Sequence, residues 1–150
     1  MDYFTLIKKH EGLRLRPYRC TKGKLTIGWG RNIDAKGLPD FAKPYFDKHK
    51  RITREMADMI LAIDVADAVR EAKILFKTFD KLCLPRQAVT VDMLFQMGMK
   101  RVSKFKKTIA AVNKGDWQMA YKEMLDSDWY RDDTPERAEE DANIMQRGQW

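Results

Sequence analysis

The sequence predicts an α+β fold in two lobes. A small α/β lobe with an antiparallel hairpin lies near the N-terminus, a long helix joins the lobes, and the C-terminal lobe is helical. Three observations predict it. Residues 13–33, LRLRPYRCTKGKLTIGWGRNI, nearly alternate in polarity and are broken by a Thr-Lys-Gly turn and by Gly28 and Gly30, the pattern of short antiparallel strands. From Met56 to Phe76 apolar residues recur at helical spacing over an unusual length. After residue 80 the chain carries the start and stop signals of several short helices and nothing that reads as a strand.

The first element is a short helix over residues 2–11. Phe4, Leu6, Ile7 and His10 fall near one face, and Gly12 stops it. Residues 34–51 mix Asp, Lys, Gly and Pro with scattered aromatics and read as loop carrying one short helix. Thr53 is an N-cap for a helix over residues 54–78, which would be about 37 Å long at its usual rise per residue. That length suits a helix that joins two lobes. Pro85 fits the first position of the next helix, which runs to Gly98. Ser103 can cap KFKKTIAAV, Asp116 can cap WQMAYKEML, and Thr134-Pro135 is a cap-and-N1 pair for a last helix that stops at Gly148. Cys83, Trp117, Trp129, Tyr130 and Trp150 are expected in the helical core, as are Met93, Met97 and Met99.

Composition bounds the function. Lys and Arg number 29 against 22 Asp and Glu, a net charge of +7 over 150 residues. The excess implies affinity for something negative, and nucleic acid, an anionic membrane face and an acidic wall polymer all qualify. No run approaches the ~20 apolar residues of a membrane helix, so stable membrane insertion is not expected, and the N-terminus reads as neither signal peptide nor anchor. Two cysteines make no disulfide framework, and Cys20, Cys83, His10 and His49 lack metal-ligand spacing. The basic residues are spread along the chain with no nucleic-acid-binding motif.

The chemistry concentrates between Glu11 and Arg31. Glu11 ends a helix, where the dipole disfavours its charge, and partial burial would make it hold its proton as a general acid does. Cys20 lies beside the turn between Arg19 and Lys22, whose charges favour a thiolate. It reads as a nucleophile, a base or a small buried hydrophobe. A hairpin can turn Cys20 and Thr26 toward one side. Arg31 can pair with Asp64 if the hairpin folds back on the long helix, and Arg14, Arg16 and Arg19 form a basic strand edge.

With those residues assembled, the chain resembles the phage-type lysozymes, a glycoside hydrolase family. Glu11-Gly12-Leu13-Arg14-Leu15, Tyr18, Thr21, Gly23, Thr26-Ile27-Gly28 and Gly30 look like that family's active-site helix end and hairpin. Further islands follow in the family order: Ile52-Thr53, Asp64-Val65 through Arg70, Phe95-Gln96-Met97-Gly98, Trp129-Tyr130, Thr134-Pro135 with Arg137-Ala138, and Gly148 with Trp150. The family triad is Glu, eight residues, Asp or Cys, five residues, Thr, and here it is Glu11, Cys20 and Thr26. Cys20 stands where a carboxylate is common, Arg31 stands where a His is common, and the segment between Arg31 and Thr53 is short.

The resemblance implies one lysozyme domain over residues 1–150. Its β-containing lobe would cover about 12–52, its connecting helix about 53–79 and its helical lobe about 80–150, with helix 2–11 packed on the last. It implies hydrolysis of the β-1,4 bond between N-acetylmuramic acid and N-acetylglucosamine in bacterial peptidoglycan. Glu11 would be the acid, with Cys20 and Thr26 holding and activating a water on the opposite face of the sugar, an inverting displacement. Tyr18, Gly30, Arg31, Asp64, Gln96 and Met97 would line or support the cleft. The implied protein is an endolysin, monomeric and without metal or organic cofactor. It would wait in the host cytoplasm until a holin opens the membrane. A silent wall-binding protein and a glycosidase for chitin-like chains remain as rival readings.

Overall fold

The computed structural model describes residues 1–150. Asp2 starts the first helix by accepting the Thr5 N–H at 2.8 Å and the Thr5 hydroxyl at 2.9 Å, so α1 runs Tyr3–Glu11. Strands β1 (Arg14–Arg19), β2 (Leu25–Gly28) and β3 (Arg31–Asn32) follow and form one antiparallel sheet in the order β1-β2-β3. The remaining elements are helices: α2 (Ile33–Lys36), α3 (Lys43–His49), α4 (Arg54–Leu75), α5 (Leu84–Val102), α6 (Lys106–Lys114), α7 (Trp117–Leu125) and α8 (Pro135–Arg147). A small antiparallel sheet among helices is the α+β class that the sequence predicts. The chain divides into two compact units, Ile7–Ala66 and Met1–Leu6 with Asp67–Trp150, so α1 and α4 each contribute to both.

In the first unit, Tyr18 pairs with Thr26 and Arg19 with Leu25, while the register slips between Arg14 and Tyr18. Pro17 sits in that slip on an edge strand, where its missing N–H costs no ladder bond. Along β1 the arginines Arg14, Arg16 and Arg19 are exposed, as a solvated basic edge requires. The central strand β2 buries Thr26, Ile27 and Gly28. Ile27, Ala42, Ile52, Ala57 and Ile60 form the core beneath it, joined by Leu13, Leu15 and Trp29. Residues 33–49 hold two short helices where the sequence suggested one. The Asn32 side chain accepts the Ala35 N–H at 3.0 Å to start α2, and Pro44 supplies a fixed φ in the first turn of α3.

Helix α4 begins as predicted, with the Thr53 hydroxyl oxygen accepting the Met56 N–H at 3.1 Å. It ends at Leu75, before the expected residue 78. There the chain turns so that Phe76 and Phe79 both bury, and Asn113 takes the Thr78 hydroxyl at 3.3 Å.

In the second unit several expectations change. Leu84, one residue before Pro85, is the first residue of α5, which is broken at Gly98. A φ of 79° with ψ of 164° at Gly98 is open to glycine and strained for other residues, so the predicted stop is physically real. Ser103 does not cap α6. Its hydroxyl donates to the Lys100 carbonyl at 2.8 Å, and Phe105 takes the cap position without a side-chain bond. Asp116 caps α7 as expected, accepting the Met119 N–H at 3.1 Å. Thr134 precedes α8, but its hydroxyl oxygen accepts the Gln96 side-chain N–H instead. Trp129 and Met93 are fully buried. Cys83 is exposed, and Trp150 is 42% exposed, because each lies at or beyond a helix end where no element covers it. Trp117 is half-buried under the Arg86 guanidinium, 3.7 Å from the ring centre. Arg137 and Asp92 form a buried two-pronged pair, at 2.8 and 2.6 Å, that ties α8 to α5. Asp141, one turn beyond Arg137, is also fully buried. Burial and the Asp92 charge push its carboxyl well above the ordinary range.

The first unit has its own buried pair. The Arg31 guanidinium from β3 donates to the Asp64 carboxylate of α4, and its Nε donates to the Gly37 carbonyl at 3.0 Å. Lys36 reaches the same carboxylate at 3.4 Å. Both Arg31 and Asp64 are buried. Removing one partner strands the other charge away from water, which is the costly case. Asp64→Asn should therefore lower stability by about 3–5 kcal/mol, read as a shift of the urea midpoint at unchanged slope. A loss under about 1 kcal/mol would mean that solvent reaches Arg31 and screens it.

Candidate active site

Every member of the predicted triad belongs to the unit Ile7–Ala66, and the hairpin positions two of them. The Cys20 N–H donates to the Lys24 carbonyl at 2.9 Å and the Gly23 N–H to the Cys20 carbonyl at 2.8 Å, a tight turn that sets Cys20 at the tip of β1. Thr26 sits on β2 opposite Tyr18, with its hydroxyl donating to the Lys24 carbonyl at 2.9 Å. Burial pushes the Cys20 thiol up, but this is outweighed by hydrogen bonds from the Lys22 and Lys24 backbone and from the Thr26 side chain. The thiol is thus held below its ordinary range. A threonine hydroxyl has one proton to give. Given to the Lys24 carbonyl, it leaves a lone pair for the thiol S–H. Turned to the sulfur, it stabilises the thiolate.

Glu11 is the last residue of α1 and is half-buried. Its carboxylate lies directly against the backbone of Gly30, where a Cβ would come within 2.5 Å of Oε2 and 2.7 Å of Cδ. Gly30 also has φ of +78°, so the site needs glycine for space and for conformation together. Tyr18 joins these groups. Burial raises its phenol, and the charges of Glu11 and Cys20 raise it further, while Arg14, 4.9 Å over its ring, works against them. Glu11, Tyr18 and Cys20 therefore share one electrostatic neighbourhood.

Other predicted residues support the site or lie apart from it. Arg31 and Asp64 are the buried pair behind β3, a structural position. Gln96 and Met97 belong to the helical unit. There the Gln96 amide is used at both ends, donating to the Thr134 hydroxyl at 2.9 Å and accepting the Trp129 indole N–H at 2.8 Å. Met97 is half-buried beside the Gly98 break. Sequence reasoning missed the support of the segment Gly28-Trp29-Gly30. The Trp29 indole donates to Asp58 at 2.8 Å, Lys8 pairs with Asp58 at 3.1 Å, and the Lys8 ammonium lies 5.0 Å over the Trp29 ring. The Trp29 bond, the larger effect, and Lys8 together hold the Asp58 carboxyl below its ordinary range. A tryptophan between two glycines was the available signal; nothing in the sequence singled out Asp58.

A carboxyl at a helix end, a thiol of lowered pKa and a hydroxyl on facing hairpin strands are the parts of a two-sided acid–base site. The family model described as phage lysozyme matches residues 8–139, which includes all of them. The chain belongs to the phage lysozyme family. It is 32% identical over 145 residues to the pre-baseplate central spike protein Gp5 of Enterobacteria phage T4, covering 87% of this chain and 25% of that protein. The chain thus spans about a quarter of the spike protein's length. It is 25% identical to the probable T4-type lysozyme 2 of Dictyostelium discoideum, covering 95% of this chain and 92% of that one. An endolysin of the Acyrthosiphon pisum secondary endosymbiont phage 1 is 26% identical, with 80% and 73% covered. No helix of this phage lysozyme family member is long and apolar enough to cross a membrane.

The fit at Gly30 makes a prediction. Gly30→Ala places a methyl on the Glu11 carboxylate and forces alanine to positive φ, a strain of about 1–2 kcal/mol. The melting temperature should fall by about 2–8 °C. A melting temperature within about 1 °C of the parent would show that Glu11 moves aside freely.

Proposed function

We propose that this protein is a peptidoglycan hydrolase that cuts the β-1,4 bond between N-acetylmuramic acid and N-acetylglucosamine. The observation that carries this reading is the hydrogen bond between the Thr26 side chain and the Cys20 thiol, together with Glu11 seated against Gly30. Glu11 donates its proton to the glycosidic oxygen as the bond to the anomeric carbon breaks. A water held by Cys20 and Thr26 attacks that carbon from the other face, and the Cys20 thiolate accepts the proton the water loses. Glu11 ends as carboxylate and Cys20 as thiol, and exchange with solvent restores both. One displacement inverts the anomeric centre.

Net charge of +7 supports the substrate class, because wall polymers are acidic and a basic enzyme collects on them. The work would take place at the bacterial wall, after release from the host cytoplasm through a holin-permeabilised membrane and as a monomer. Likeness to a quarter of a baseplate spike protein favours a second setting, in which the same chemistry opens the wall during phage entry.

The first test is Glu11→Gln on purified Gram-negative peptidoglycan, read by new reducing ends and by mass spectrometry of the fragments. Wild type should release fragments ending in reducing N-acetylmuramic acid, and the variant should be at least a thousandfold slower. Wild type that binds the wall and releases nothing would make the protein a silent binder, and cleavage of chitin chains instead would move it to the rival glycosidase class.

The role of Cys20 is tested by pH. The step needs the Cys20 thiolate and the protonated Glu11 at once, so the wild-type pH–rate profile should be bell-shaped, with one limb in the lowered thiol range. Cys20→Asp should move that limb down into the carboxylate range, near 4. Cys20→Ser keeps a hydrogen-bonding group without a base and should lose most activity at every pH. A serine variant of full activity would reduce Cys20 to holding the water.

A further inference from the structure

The helical unit holds a cavity of about 620 Å³ at the start of α6, lined by Arg101, Lys104, Lys106, Lys107, Arg131 and Thr108 among others. It uses none of the residues assigned to sugar cleavage. The first helical bond of α6 is from the Ile109 N–H to the Phe105 carbonyl at 2.9 Å, and no side chain caps the helix. The N–H groups of Lys106, Lys107 and Thr108 therefore point out of the helix end as unused donors. A first turn normally welcomes acidic side chains; this one has none and carries two lysines. Those charges repel the helix dipole unless an anion lies between them.

A second observation comes from Thr108 itself. It is only 2% exposed, it lines the cavity, and its hydroxyl has no partner in the chain. The surrounding charges leave the lysines available. Arg101 is paired with Asp133, and Arg131 holds Asp126 at 2.7 Å and Asp128 at 3.5 Å. Glu123 is the remaining acid on the wall, against the exposed Lys104, Lys106 and Lys107.

We propose that this cavity binds a phosphate-class oxyanion, seated on the Lys106–Thr108 backbone N–H groups and the Thr108 hydroxyl and neutralised by the three lysines. The donor set favours phosphate over carboxylate. Three N–H groups, a hydroxyl and three ammonium groups offer more donors than two carboxylate oxygens can accept, and phosphate brings another oxygen and more charge. The cavity also has room for the group that carries the phosphate, a glycerol or a sugar.

The test is a titration of the ¹⁵N-labelled full chain with inorganic phosphate, followed at the amides of Lys106, Lys107 and Thr108. Sodium chloride and sodium acetate at equal ionic strength serve as controls. Saturable shifts at those three amides are expected with phosphate alone. Thr108→Val and Lys107→Gln should each weaken phosphate binding about fivefold or more, while cleavage of peptidoglycan in phosphate-free buffer stays unchanged. The surface variant Lys107→Gln keeps the test valid if Thr108→Val folds poorly. Glycerol phosphate and a sugar phosphate identify the carrier: whichever binds more tightly than inorganic phosphate names it, and equal binding assigns the phosphate group alone. Shifts matched by chloride or acetate, or unchanged binding in Lys107→Gln, would overturn the proposal.

Discussion

The sheet-bearing unit depends on one buried charge pair. Arg31 leaves the last strand, buries its guanidinium and ends on Asp64 of α4, with backbone carbonyls of Lys36 and Gly37 taking its other donors. An arginine out of water with so few ways to be satisfied accepts one arrangement of its neighbours. That arrangement fixes β3 against α4, and β3 pairs directly with the strand that carries Thr26. Gly30, the residue before Arg31, inherits its position. The ion pair thus sets the backbone that Glu11 leans on, although neither of its residues belongs to the acid–base chemistry.

The site is assembled from constraints of different kinds. Sterics act at Gly30, where a missing side chain makes room for a carboxylate. Backbone hydrogen bonding acts at the turn, which places the Cys20 sulfur among donors and lowers its pKa. Aromatic packing and charge act at Trp29, held by Asp58 and covered by Lys8. At Cys20 the turn's donors favour the anion of the thiol. Glu11 at the end of α1, Cys20 at the tip of β1 and Thr26 on β2 lie within sixteen consecutive residues, so the local fold of one short segment brings them together.

Much of this was legible in the sequence. The hairpin was visible in alternation and turn residues, and the start of α4 in Thr53, because strands and caps are local features. The Glu11, Cys20 and Thr26 spacing was legible as a site through its likeness to the family triad. Failures came where one side chain had a choice of partners. Ser103 and Thr134 both read as caps, yet one bonds backward to Lys100 and the other takes Gln96. Cys83 and Trp150 read as core because of their residue types, yet helix ends left them uncovered. Asp58 gave no signal, since its partner Trp29 lies 29 residues away.

The sequence by itself determined the α+β class and the hairpin, which rest on periodicity and turn residues within single segments, and its likeness to a family, carried by islands along the whole chain, supplied Glu11, Cys20 and Thr26 as the candidate site. Only the tertiary structure decided that Glu11 rests on Gly30, that Asp58 holds Trp29, and that the start of α6 is an uncapped, lysine-ringed cavity. Those facts depend on which groups meet once distant segments pack, and on which polar groups are left without a partner when they do. Both are set by burial, which no single stretch of sequence encodes.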